Sequence, residues 1–307
     1  MSFSLNQLYK NIGITKQAVH QFELRQRVFD KKVGLLISEV DKLRGEHPGC
    51  GVEKMYYTLK PKFIGRDRFI ELFMDLGYRI KRSKNYRKTT YPSVFAKYPN
   101  LIEGLLLYEP SQVWQSDITY IRIGEVFYYA VFIIDVYTKK IVGYCVSDSL
   151  RAQANVKALK MAVAENDWPV FHHSDRGSQY VYKIYTDLLE NNGTSISMCN
   201  MAIENAYAER INNTIKNEYL AYWNPKDFKQ LQRQMKKAVF NYNHTRIHNH
   251  LQRKTPVEFE KEVLNLPVHS RPMARIYADG QIKMDRALSP LPFYAQQNLK
   301  AQICPII

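Results

Sequence analysis

Three acidic residues stand in settings where a carboxylate has no ordinary local reason to be. Asp117 interrupts Gln115-Ser116-Asp117-Ile118-Thr119-Tyr120, which reads as a β-strand, and Asp is depleted from strands. Asp175 closes a short run, His172-His173-Ser174-Asp175, and Arg176-Gly177-Ser178 follows, small enough to leave a loop open. Glu209 falls on a long helical stretch, with Asn205, Asn212, Asn213 and Lys216 on or beside its face at helical spacing. Any one of these acids alone is more often a salt bridge or a helix cap. Three converging carboxylates repel one another unless cations sit between them. Hard oxygen ligands with open positions suit Mg²⁺ or Mn²⁺. Two such ions, ~3.5–4 Å apart, activate a water or hydroxyl and stabilise the leaving oxygen of a phosphodiester. The expectation is therefore two Mg²⁺ (or Mn²⁺) ions on Asp117, Asp175 and Glu209.

Other chemistry-bearing residues read differently. Asp135 ends a buried strand and reads as structural. His173 is an outside candidate for orienting the site. His244, His248 and His250 have metal-like spacing, but with no Cys partner and with Arg246 and Arg253 beside them they read as DNA contacts or solvated side chains. Cys50, Cys145, Cys199 and Cys304 are scattered, which argues against a disulfide framework and for a reducing cytosol.

Positioning such acids requires a sheet. Val113 to Ile123 reads as a strand, Gly124-Glu125 as a two-residue turn, Val126 to Val136 as a buried central strand, and Ile141 to Val146 as a third. A helix from Asn155 to Glu165, a strand at Val170 to His173, a helix from Gln179 to Glu190, a strand at Thr194 to Met198 and a long helix from Ile203 to Ala221 follow. The order βββ-α-β-α-β-α is the ribonuclease-H-like arrangement: α/β, with a mixed five-stranded sheet, in which the first and fourth strands are neighbours. Asp117 and Asp175 would then meet, and the long helix would bring Glu209 across. Glu204 lies five residues before Glu209, about 500° of rotation or 140° net, so the two cannot share a helical face.

Upstream, the pattern is helical. Leu5 to Lys10, a break at Gly13-Ile14-Thr15, and a helix from Lys16 form a helix-turn-helix pattern that would offer Lys16, Gln17 and His20 to a DNA groove. A further helix covers residues 33–45. Met55 to Leu59 and Arg68 to Leu76 form a second such pair, bearing Arg66 and Arg68. The expected domains are 1–45, 46–90, a linker at 91–110, the core at 111–222, a C-terminal helical extension at 223–265, and a tail at 266–307 with a hairpin around Asp279-Gly280.

Charge names the partner class. The chain of 307 residues carries 44 Lys+Arg against 29 Asp+Glu, a net charge of +15. Such a surplus favours a polyanion. Residues 1–100 hold 20 basic and 9 acidic residues, and no acid occurs between Leu76 and Ile102. In that gap Arg79, Lys81, Arg82, Lys84, Arg87 and Lys88 crowd together, a phosphate-binding arm. No apolar run approaches the ~20 residues of a membrane span. The expected partner is a nucleic acid.

Taken together, Val113-Trp114-Gln115-Ser116-Asp117-Ile118-Thr119-Tyr120, Asp135 before Ile141-Val142-Gly143, His173-Ser174-Asp175-Arg176-Gly177-Ser178-Gln179-Tyr180, Glu204-Asn205-Ala206 through Glu209 to Leu220, and Tyr242-Asn243-His244-Thr245-Arg246 with Thr255-Pro256-Val257-Glu258-Phe259 are similar to the insertion-sequence-three family of bacterial transposases, whose core resembles retroviral integrase. The resemblance implies that Asp117, Asp175 and Glu209 are an Asp-Asp-Glu triad, and that the chain binds double-stranded DNA, the terminal repeats of its own element and target DNA, as a homo-oligomer, at least a dimer, in the bacterial cytoplasm and its nucleoid. Lys216 and Arg246 would be DNA contacts of the core. The sequence departs from the family in having Glu204 where Asp is usual, 33 residues between Asp175 and Glu209, and Ile247 in place of Pro. The rival readings are a nuclease on the same fold, which would hydrolyse without joining, and a non-catalytic DNA-binding regulator.

Overall fold

The computed structural model describes residues 4–80, 98–199, 201–276 and 282–284. The chain divides once, into residues 1–80 and 81–307. Lys81, Arg82, Lys84, Arg87 and Lys88 of the basic arm lie outside the described residues.

In the first unit, α1 (Leu5–Asn11) leads to α2 (Lys16–Glu46), α3 (Val52–Leu59) and α4 (Arg66–Asp75). Thr15 caps α2, its Oγ1 accepting from the Ala18 N–H at 3.1 Å. One expectation needs correction. The helices read at Lys16 and at residues 33–45 are one 31-residue helix, because nothing between Lys16 and Glu46 stops a helix: Gly34 is tolerated and no proline occurs. The first helix, the turn at Gly13 and the Thr15-capped second helix are there as expected, but α1 is not packed within its unit. α1 buries no residue, and Leu5, Leu8 and Ile12 are about half exposed or more. The first residue of α2 to pack on the cluster is Phe29, against Phe63, and the first fully buried one is Val33. Leu36 and Val40 then join Val52, Met55, Ile64, Phe69 and Phe73 in one apolar cluster, so the domain boundary expected at residue 45 runs through a shared core. Lys16, Gln17 and His20 lie on the exposed first turns of α2, and Arg66, Arg68 and Arg79 are exposed as well.

The second unit is built on β1 (Leu106–Leu107), β2 (Val113–Ile123), β3 (Val126–Asp135), β4 (Ile141–Ser147), α5 (Gln153–Glu165), β5 (Phe171–Ser174), α6 (Lys183–Glu190), β6 (Ser195–Met198), α7 (Ala206–Thr214), α8 (Ala221–Trp223), α9 (Phe228–His244), α10 (Pro256–Asn265), β7 (Ala274–Ile276) and β8 (Ile282–Met284). Five strands form one sheet in the order β4-β3-β2-β5-β6, and β1, β7 and β8 form a small second sheet. β2 pairs antiparallel with β3 and parallel with β5. This is the ribonuclease-H-like order.

Period-two alternation sends the sheet's side chains to two cores. Ala130, Phe132 and Ile134 of β3 face α7 and α9. Val131 and Ile133 face α5 and α6, with Trp114 and Tyr180. α5 comes so near β4 that a Cβ on Gly143 would stand 2.3 Å from the Ala158 carbonyl oxygen. A third cluster joins Val113, Val136 and Tyr137 to Leu251, Phe259 and Val263 of the C-terminal extension and to Ala274 and Ile276 of β7, so residues 223–276 pack as part of this unit. Among the described residues no helix is long and apolar enough to cross a membrane.

Candidate active site

The parallel pairing of β2 with β5 ends on Ser116 opposite Ser174. Asp117 follows on β2 and Asp175 is the first residue beyond β5, so the sheet brings the two acids together. Each has one oxygen bound to local backbone. Asp117 Oδ1 accepts from the Ile118 N–H at 2.9 Å, and Asp175 Oδ1 accepts from the Gly177 N–H at 3.0 Å, a loop closure that the small residue permits. The second Asp117 oxygen accepts from the Asn212 amide at 2.8 Å.

α7 is stitched to β2 beside this point. Asn205 donates to the Ser116 carbonyl at 2.9 Å. The Gln115 side chain accepts from the Tyr207 N–H at 3.1 Å and donates to the Glu204 carbonyl at 3.0 Å. Asn205 and Asn212 are seven residues apart, two helical turns, and so meet the same strand. Lys216 donates to Thr119 Oγ1 at 3.3 Å, two residues beyond Asp117. Behind Asp117, Ser116 Oγ and the Tyr180 hydroxyl lie 2.9 Å apart. Gln115, Thr119 and Tyr180 were not singled out from the sequence. A glutamine in the middle of a buried strand was the available signal, since it needs partners there.

Burial pushes the Asp117 carboxyl up to about 7; the neighbouring Asp175 carboxylate pushes the same way, and Glu209 adds to it more weakly. The Asp175 carboxyl is also raised, mainly by burial. Burial lowers the Lys216 ammonium, against the pull of Asp117. Among the described residues no lysine or arginine forms an ion pair with Asp117 or Asp175. Glu209 is partly buried and lines, with Arg210, Asn213 and Asn217, an open groove of about 400 Å³ along α7. It is not in contact with the two aspartates: no three His, Cys, Asp or Glu side chains among the described residues lie close enough to hold a metal ion. Glu204 is buried in the 3₁₀ turn before α7, and its carboxylate faces the Met201 N–H.

The remaining candidates are placed as follows. Asp135 accepts from the Ser111 N–H at 2.6 Å and from the Thr138 N–H and hydroxyl at 2.7 and 2.8 Å, closing the β3–β4 turn. His173 is buried against Ser197, with Nδ1 and Oγ 2.8 Å apart, and burial pushes its imidazole down to about 3; it does not orient the aspartates. His244 stacks on Phe240 and His248 packs on Tyr242, so the three C-terminal histidines form no metal cluster. Arg246, expected to contact DNA, is instead locked in a two-point ion pair with Glu218 at 2.7 Å on both arms, with 11% of its side chain exposed. The sequence showed an arginine in a polar, basic stretch; its partner lies 28 residues upstream.

Comparison with known proteins agrees with this architecture. A family model described as Integrase core domain matches residues 108–202, and a second of the same description matches residues 194–256. The chain is 32% identical over 206 residues to the insertion element IS600 uncharacterized 31 kDa protein of Shigella sonnei, covering 65% of this chain and 76% of that one. It is 30% identical over 233 residues to the transposase for insertion sequence element IS629 of Shigella sonnei, covering 74% and 79%. It is also 30% identical to the transposase InsF for insertion sequence IS3fB of Escherichia coli K12, covering 61% and 68%. Among solved structures, a simian T-cell lymphotropic virus intasome aligns at a TM-score of 0.49 and 14% identity over 74% of this chain and 72% of its own. At 30–32% identity over most of its relatives' length, the chain belongs to the insertion-sequence transposases, DDE-type polynucleotidyl transferases built on the integrase core domain.

Proposed function

We propose that this transposase binds the ends of its own element as at least a dimer, nicks one strand, and directs the freed 3′-hydroxyl at a second phosphodiester, with Asp117, Asp175 and Glu209 as its metal-binding acids. The observation that carries this reading is the meeting of Asp117 and Asp175 where the β2–β5 pairing ends, with no lysine or arginine ion-paired to either among the described residues. Two mutually repelling, partly buried carboxylates are a donor set that fits a hard divalent cation, Mg²⁺ or Mn²⁺. When bound, two such ions lower the pKa of an attacking hydroxyl and stabilise the leaving oxygen.

The chain's own residues do the rest. The Asn212 amide and the Ile118 N–H orient the Asp117 carboxylate. The Gly177 N–H fixes one oxygen of Asp175 and leaves the other for a ligand. Gln115 and Asn205 hold the start of α7 against β2, which keeps Glu209 on the same side of the sheet as Asp117. Lys216 lies beside Asp117 as a phosphate contact. The exposed Lys16, Gln17, His20, Arg66, Arg68 and Arg79, with the arm at residues 81–88, supply the bulk of the DNA attraction. If 6–10 phosphates are contacted, affinity for element-end DNA falls ~10³–10⁵ between 50 and 200 mM salt.

The test sets Glu209→Gln beside Glu204→Gln, with element-end DNA and Mn²⁺, scored for nicking and joining. Glu209→Gln is expected to fold and to lose both activities. Glu204→Gln is expected to stay within about tenfold of the wild type, a change of ~1.4 kcal/mol in barrier. A dead Glu204→Gln with an active Glu209→Gln would overturn the assignment. Nicking without joining of a supplied 3′-hydroxyl end would favour a hydrolytic nuclease.

A further inference from the structure

The long helix that carries Glu209 is not uniform. α7 ends at Thr214, and Ile215–Leu220 winds as a π-helix before α8. A π turn closes its hydrogen bonds one residue later than an α turn, so it re-aims every side chain beyond it; such turns cluster at functional sites. Two side chains of this π segment reach in different directions. Lys216 reaches Thr119 beside Asp117. Glu218 is held by Arg246, from the loop after α9, through Nε and Nη2 at 2.7 Å each. A two-point guanidinium–carboxylate fork fixes orientation as well as distance.

Arg246 is itself anchored. Its N–H donates to the Asn241 carbonyl at 2.8 Å, and its guanidinium lies over the Tyr242 ring. Three residues earlier, the Asn243 side chain grips the backbone of Ile141 on the edge strand β4, donating to its carbonyl and accepting from its N–H at 2.9 Å each. The stretch Tyr242 to Arg246 is therefore a clasp, with one end on the sheet edge and the other on the π turn.

We infer that the Glu218–Arg246 pair is a positioning device for transposition: it sets the π turn, and through it aims Lys216 at the Asp117 side of β2. This rests on the reading that Asp117 marks the reacting centre. Arg246 then serves the site through Glu218, and its removal would not be felt as a lost phosphate contact.

Arg246→Lys tests this best, because it keeps the charge while losing the fork. Glu218→Gln removes the charge from the other side, and the exchange of Glu218→Arg with Arg246→Glu restores an ion pair in reverse. Full-length proteins are compared with element-end DNA and Mn²⁺. The readouts are the nicking rate at saturating DNA, the DNA concentration for half-saturation, the salt slope of binding, and amide hydrogen exchange across residues 212–220. Arg246→Lys and Glu218→Gln are each expected to lower the saturated rate by about tenfold, and up to ~100-fold, the scale of a small misplacement at a reacting centre. Half-saturation and salt slope stay unchanged, exchange at 212–220 accelerates, and the reversed pair recovers part of the rate.

A normal saturated rate per folded molecule in Arg246→Lys would overturn the inference and leave the pair purely structural. So would unchanged exchange at 212–220. A salt slope reduced by about one in Arg246→Ala, with Glu218→Gln harmless, would return Arg246 to the DNA contacts. Exchange and salt slope need no chemistry, so a wild type unable to nick would count against the catalytic reading and not against the clasp.

Discussion

Asp117 and Asp135 stand on neighbouring strands of one sheet, and burial raises the carboxyls of both. Their surroundings differ. Asp135 meets three donors, the Ser111 N–H and the Thr138 N–H and hydroxyl, which fill its oxygens and knot the β3–β4 turn. Asp117 meets two, the Ile118 N–H and the Asn212 amide, and then the charges of Asp175 and Glu209. One acid is satisfied by its own chain. The other is left with charge that needs a cation. Burial and residue type are alike at the two places, so neither marks a reactive site; at Asp117 the charge of Asp175 is the next cause after burial, whereas at Asp135 that of Glu260 comes last, behind three hydrogen bonds.

Replacing Asp117 by Asn tests that contrast most strongly. The expected loss in nicking and joining is at least ~10²–10³-fold, the size of one electrostatic contribution at a reacting centre. Unfolding by denaturant should show no loss of stability, since the substitution removes a repelling charge. Near-normal strand transfer by Asp117→Asn would erase the difference between the two acids. Asp135→Asn should behave the opposite way. Its amide turns a donor toward the three donors that hold Asp135, at a cost of about 1–3 kcal/mol, while the rate per folded molecule stays unchanged. A stable but inactive Asp135→Asn would move that residue into the site.

His173 supplies the smallest and most specific check. It lies two residues before Asp175, yet its ring is buried and held at Nδ1 by Ser197, and its Nε2 has no hydrogen-bond partner among the described residues. Its imidazole is pushed from 6.5 down to about 3 by burial, with His172 adding a smaller push. The unfolded chain therefore takes up that proton first. Its contribution is complete above about pH 6.5 and is lost as the pH falls toward 3, with a slope of at most ~1.4 kcal/mol per pH unit. Stability measured from pH 7 to pH 4 should fall less steeply in His173→Gln. An unchanged slope would mean that the imidazole is not held neutral.

Much of the fold was readable along the chain. The strand at Val113–Ile123, its Gly124-Glu125 turn and the buried strand after it are local patterns, and the structure has them at or within a residue of the expected bounds. The capped start of α10, with Thr255 accepting from the Glu258 N–H and the Glu258 carboxylate answering the Thr255 N–H, follows from four consecutive residues. The stretch of α2 reads as two helices, and the helix, turn and Thr15 cap expected at its start are present. Amphipathic spacing shows which face is apolar and says nothing of whether anything covers it, and Leu5, Leu8 and Phe22 are left uncovered in their unit. The π segment went unread because its residues are ordinary helix formers.

The amino-acid sequence by itself determined the order of strands and helices, the three acids on them and the basic first third, because alternation, capping and charge are properties of near neighbours in the chain. Only the tertiary structure decided what surrounds each charge. Asn212 reaches Asp117 across 95 residues, Asn243 reaches Ile141 across 102, and Arg246 reaches Glu218 across 28. Whether a buried carboxylate repels another acid, accepts from an amide or pairs with an arginine depends on separations of a few ångströms. Those are set when the sheet and its helices pack together, and no local pattern encodes them.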